Sequence, residues 1–127
     1  MDVFRNGTVF DDALTTDWVR GEDIFVGGDA HLSVYMTISG TAPSSYRMRI
    51  ERRRKDGSHF VSDCLVHSAD GRFDHEEQYV DVIGTRSSAM VSVDVPQWSV
   101  IALSACRIGG DATTSLVVTA EAHPPAT

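Results

Sequence analysis

The basic run Arg47, Arg49, Arg52, Arg53, Arg54 and Lys55, opposed only by Glu51, is the strongest chemical signal in the chain. It carries +5 in a protein whose formal net charge is −7. Such a run can hold phosphate, meet an acidic protein surface, or sit in water at a hairpin tip that protects an edge strand. Nucleic acid fits least. Its acidic whole would repel phosphate, and stacking aromatics are not interleaved with the cations, since Tyr46 and Phe60 only flank them. Arg52, Arg53, Arg54 and Lys55 are the candidate electrostatic contact with a protein partner; a solvated tip is the alternative.

The other polar clusters point to no chemistry. His59, His67 and His75 recur every eight residues among Asp63, Asp70, Asp74, Glu76 and Glu77. On strands that spacing shares a face but spans about 26 Å at about 3.3 Å per residue, so only an intervening turn could gather them. Asp74 to Tyr79 does not read H-E-x-x-H, and Asp70 to Glu77 lacks the D-x-D-x-D-G order of a calcium loop. No serine sits in a G-x-S-x-G elbow, and there is no G-x-x-x-x-G-K-[ST] phosphate loop. Cys64 and His67 would need a third, orienting group to act as a nucleophilic pair. The expectation is a protein without enzymatic activity, metal or cofactor.

The elements that position these residues are strands. Leu32, Val34, Met36 and Ile38 alternate with polar neighbours, as do Tyr46, Met48 and Ile50 with Arg47, Arg49 and Glu51. Asp56-Gly57 marks a hairpin turn between Tyr46–Ile50 and a strand at 59–67. The alternation of that next strand is imperfect, with Phe60, Ser62, Cys64 and Val66 against Val61, Asp63 and Leu65. Phe73 to Gln78 reads as an edge or loop, Tyr79 to Ile83 as a short strand, and Ala89 to Val95 as a strand ended by Pro96. Trp98 to Ile108 and Thr114 to Ala122 alternate around a Gly109-Gly110 turn, where glycine reaches positive φ without steric cost. Seven to eight strands at turn spacings of roughly 8–12 residues, with no helix, predict an all-β antiparallel sandwich of jelly-roll type.

A length of 127 residues suits one domain. The pattern divides it into an N-terminal arm or first strands at 1–29, a sandwich at 30–122 and an extended tail at 123–127. The first stretch carries Asp2, Asp11, Asp12, Asp17, Glu22, Asp23 and Asp29 against Arg5 and Arg20, a net of −5. It also holds large apolar groups that disordered segments rarely contain. Phe4, Phe10 and Trp18 are its candidate anchors on a neighbouring subunit. Asn6-Gly7 could be a hairpin turn or a bend, and Asp12 to Arg20 at most one poor helical turn. Cys64 and Cys106 read as buried free thiols, with a bond between them as the alternative. No apolar run approaches the roughly 20 residues that span a bilayer, and Met1 to Arg5 shows no export-signal pattern. Synthesis in a cytoplasm is expected.

Three stretches resemble small jelly-roll proteins of tailed-phage virions, the head-decoration and accessory head or tail proteins. They are Gly27-Gly28 leading into His31–Ser39, the Asp-Gly hairpin from Tyr46 to Phe60, and the paired strands from Ile101 to Ala122. The resemblance implies a non-enzymatic structural subunit of a virion, a homo-oligomer such as a trimer, whose partners are other virion proteins. A carbohydrate- or ligand-binding sandwich is the alternative; it requires a line of exposed aromatics, for which Tyr35, Tyr46 and Tyr79 are the candidates.

Overall fold

The computed structural model describes residues 2–124. Its strands are β1 (Asn6–Ala13), β2 (Val19–Arg20), β3 (Ile24–Val26), β4 (His31–Ser39), β5 (Ser45–Arg53), β6 (His59–Val61), β7 (Leu65–Ala69), β8 (Arg72–Asp74), β9 (Tyr79–Ile83), β10 (Ser88–Asp94), β11 (Ser99–Ile108) and β12 (Ser115–His123). Two antiparallel sheets result, one in the order β1-β12-β4-β10-β7 and one in the order β2-β11-β5-β9-β8. Short β3 and β6 pair with β11 and β5 respectively. The all-β antiparallel sandwich expected from the sequence is the fold observed, built among the described residues from twelve strands rather than seven to eight, because short strands such as β2, β3, β6 and β8 carry too few residues to show an alternation.

Alternation explains how the sheets face each other. Leu32, Val34 and Met36 of β4, Leu116 and Val118 of β12, and Val91 and Val93 of β10 supply one inner face. Tyr46, Met48 and Ile50 of β5, Ile101, Leu103 and Ala105 of β11, and Val80 and Val82 of β9 supply the other. All are buried in one core, as period-two strands with one apolar face require. The ladder is nested: β8 with β9, β7 with β10, β5 with β11, and β4 with β12. A long hairpin wound over itself pairs in this way: β4 to β5, β6 to β7, β7 to β8, β9 to β10, β10 to β11 and β11 to β12 cross between sheets, while β5 to β6 and β8 to β9 stay within one.

Two expectations need correction. The first concerns the N-terminal segment. Of the arm or first strands expected at 1–29, the first strands are what is found: residues 6–13 are a full edge strand along β12 and not an arm, with neither a turn at Asn6-Gly7 nor a helical turn after Asp12. The register shifts between Thr8 and Phe10, a bulge that turns both Val9 and Phe10 into the core. That bulge breaks the period of two, which is why the sequence leaves arm and strand both open.

The second concerns the strand expected at 59–67, which is two strands in different sheets. β6 pairs β5 and β7 pairs β10, so the chain crosses the sandwich at Ser62–Cys64. The Ser62 amide still donates to the Ile50 carbonyl at 2.9 Å. The imperfect alternation of that stretch was the trace of the crossing. At the other end, β12 includes His123, and residues 125–127 of the expected tail lie outside the described residues.

Candidate partner interface

The basic run divides into two parts because successive residues of β5 point to opposite faces. Arg47 and Arg49 lie on the outer face of their sheet and are used within the molecule. The Arg49 guanidinium lies over the Trp18 ring at 4.1 Å, and that of Arg47 over Tyr79 at 4.6 Å. Arg49 and Arg20 both reach the buried carboxylate of Glu51, at 3.3 and 2.9 Å, and the Ser104 hydroxyl donates to it as well. Burial alone would push the Glu51 carboxyl up. The hydrogen bonds from Ser104 and Arg20, with the charges of Arg20 and Arg49, outweigh burial and hold it below the usual carboxylate range. These two arginines are thus part of the fold.

The hairpin tip holds the rest. Arg54 N–H donates to the Ser58 carbonyl at 2.8 Å, closing the turn, with Gly57 at φ +90°. Asp56 accepts from the Ser58 amide at 2.9 Å and its hydroxyl at 2.6 Å. Arg53 pairs with Asp23 at 3.4 Å, and His59 shares that carboxylate at 2.8 Å. Arg54 lies over the Phe60 ring at 4.4 Å. Among the described residues no carboxylate pairs with Arg52, Arg54 or Lys55. Arg54 and Lys55 are exposed, and Arg52 half-buried.

Beside the tip stands a residue that the sequence placed in a strand. Trp98 precedes β11, exposes 67% of its surface and takes φ +54°. A bulky residue at positive φ is an outlier that its surroundings must hold in place. They do so from the Gly27-Gly28 loop: the Trp98 amide donates to the Gly27 carbonyl at 3.2 Å, and Gln97 Nε2 donates to the Gly28 carbonyl at 3.1 Å. The indole lies against this loop: a Cβ on Gly28 would meet it at 3.5 Å, an ordinary van der Waals contact, and one on Gly27 would lie 2.9 Å from the Val3 side chain. The ring also packs on Phe25, with centroids 6.3 Å apart. Arg52, Arg53, Arg54, Lys55, Trp98, Ser99 and Val100 line one open groove of about 390 Å³. An exposed indole among arginines is the composition of an interface centre. The sequence places Trp98 at the head of an alternating strand and does not show its conformation; the signal was the breaker Pro96 two residues before it.

A second groove of about 500 Å³ runs between the edge strands β1 and β2 and is lined by Asp11, Asp12, Arg20 and Glu22 among others. Its three acids against one arginine make it the electrostatic opposite of the first.

The remaining sequence candidates separate. Phe10 is 3% exposed and belongs to the core, so it cannot anchor a neighbour. Trp18 is half-buried beneath Arg49, and Phe4 packs partly on the core, its amide donating to the Phe25 carbonyl at 2.8 Å. None of the three projects as an arm. His59, His67 and His75 stay apart: His59 meets Asp23, His67 meets Asp94 at 2.8 Å, and His75 stacks edge-on against Phe73. Cys64 and Cys106 are free thiols. Burial, with a lesser push from Asp63, raises Cys64 to about 11, and its sulfur faces Gln78 rather than His67. Tyr46 is fully buried and Tyr79 lies under Arg47, which leaves Tyr35 alone exposed among the three candidates for a glycan-stacking line.

No protein-family model and no curated protein matches the sequence. The crystal structure of SPBc2 prophage-derived protein YomS is similar, with a TM-score of 0.53. The alignment covers 91% of this chain and 89% of that one, at 14% identity. What the two share at that identity is the fold.

Proposed function

We propose that this chain is a non-enzymatic structural subunit of a phage virion that assembles through protein–protein contacts, first with copies of itself. The observation that carries this reading is the groove in which Arg52, Arg54 and Lys55 have no ion-pair partner among the described residues, beside an exposed Trp98 at positive φ. A fold spends stability to hold a tryptophan in that way, and an interface gives the expense a use. The acidic groove at Asp11, Asp12 and Glu22 is its complement on a second copy, a head-to-tail contact of the kind that closes rings. The jelly-roll-like stretches of the sequence and the likeness of the fold to a prophage-derived protein favour a phage setting, on the capsid or in the connector or tail.

Charge exchange between two variants tests the contact. A variant with Arg52, Arg54 and Lys55 changed to Glu presents two acidic grooves. A variant with Asp11, Asp12 and Glu22 changed to Lys presents two basic ones. Each alone should remain monomeric, and the mixture should assemble. Assembly of either variant alone at the wild-type level would refute the groove-to-groove contact.

A further inference from the structure

The outer face of the sheet β1-β12-β4-β10-β7 carries a titratable cluster that shares no residue with the basic groove. His31 opens β4, and its cross-strand partners are Asp94 on β10 and His123 on β12. On the other side of β10, Leu65 faces Asp94, Val66 faces Val93, and Ser68 faces Ser92. His67 is therefore the extra residue of a bulge, a device that re-aims a side chain. It is aimed at Asp94. His31 Nδ1 lies 2.7 Å from Asp94 Oδ1, and His67 Nε2 lies 2.8 Å from Asp94 Oδ2. The three ligand atoms lie within 4.8 Å of one another.

We propose that His31, His67 and Asp94 form a binding site for one divalent transition-metal ion of the zinc type. Two imidazole nitrogens and one carboxylate oxygen are the donor set that such ions prefer, whereas calcium and magnesium take oxygen. The orientation of His31 is fixed from behind, because Ser92 Oγ hydrogen-bonds its Nε2 at 2.8 Å. When Nε2–H donates to that hydroxyl, the Nδ1 lone pair faces the site, which is the second-shell arrangement of metal-bound histidines. A tetrahedral ion with bonds of about 2.0–2.1 Å holds its ligand atoms about 3.4 Å apart. The observed nitrogen–oxygen distances are shorter, so the ion needs the carboxylate to turn and His67 to draw back by about half an ångström. Both side chains are about two-fifths exposed and free to do so. The fourth position is left to water. The ion would tie β4, β10 and β7 together at one end of the sheet.

Untagged, chelator-washed full-length protein should bind one zinc ion per chain by calorimetry, and cobalt should give the absorption bands of a tetrahedral site. His67→Ala, at an exposed position, should fold normally by circular dichroism and lose at least tenfold in zinc affinity. Asp94→Asn should do the same, and His75→Ala should bind as wild type. Saturating zinc should raise the melting temperature of the wild type by several degrees and leave that of His67→Ala unchanged. Absence of stoichiometric zinc binding, binding unchanged in both His67→Ala and Asp94→Asn, or a preference for calcium over zinc would each overturn the site.

Discussion

Replacing Trp98 by glycine separates the groove from the fold. Trp98 is 67% exposed, so folding hides only about a third of its surface, or about 80 Å² of an area near 250 Å². At about 25 cal/mol per Å², losing that burial costs about 2 kcal/mol. Glycine adds about 0.5–1 kcal/mol of unfolded-state entropy. Against these stands the relief of a bulky side chain at φ +54°, a strain of about 1–3 kcal/mol. The terms nearly cancel, and the variant should lie within about 1 kcal/mol of wild type in urea denaturation. Truncating a core aromatic costs about 3–5 kcal/mol by comparison. The same variant should lose self-association in light scattering. A loss of 3 kcal/mol or more in stability would show that Trp98 holds the fold together, and the reasoning would be refuted. Normal stability with undiminished association would refute the interface role instead.

Three further predictions concern the fold. Phe10→Ala should cost about 3–5 kcal/mol in chemical denaturation, because the ring lies in the core at 3% exposure; a neutral outcome would restore the arm. Gly84→Ala should destabilise by about 3 kcal/mol or prevent folding, since the new Cβ would lie 1.7 Å from the Pro43 carbonyl oxygen; a melting curve like wild type would contradict that packing. Acid should unfold the protein through Glu51 and Asp94. Glu51 is held below its unfolded value although burial opposes this, and Asp94 is lowered by its hydrogen bonds to His67 and then His31. Both contribute stability above the unfolded carboxylate range, near pH 4, and that stability is lost as pH falls through the folded values. Glu51→Gln should lower the urea midpoint at pH 7 and flatten its fall below pH 4; a parallel pH profile would show that Glu51 does not titrate in this way.

Much of the fold was legible where the strands keep one face in the core. β4, β5, β10 and β12 alternate, β11 shows as a long small-and-apolar run buried from Ile101 to Cys106, and the Asp56-Gly57 turn names its own hairpin. β1 was not legible, because the bulge at Val9 sends two consecutive side chains inward and erases the period. The crossing at Ser62–Cys64 was visible only as faulty alternation, since nothing local says that β6 and β7 join different sheets. The tip of the basic groove was read from charge alone, but its aromatic partner was not. Whether Trp98 is buried or exposed depends on the Gly27-Gly28 loop, which approaches it through folding and not through sequence proximity. The same holds for His31 and Asp94, which are 63 positions apart and meet only because β10 pairs with β4.

The mass of the purified chain in solution, by light scattering at low and high salt, tests the central claim most directly. Contact between an acidic and a basic groove is screened as the Debye length falls from about 10 Å at 0.1 M to about 3 Å at 1 M. An oligomer at low salt that dissociates toward the monomer at high salt is the predicted result. A monomer at both ionic strengths would contradict self-assembly through the two grooves.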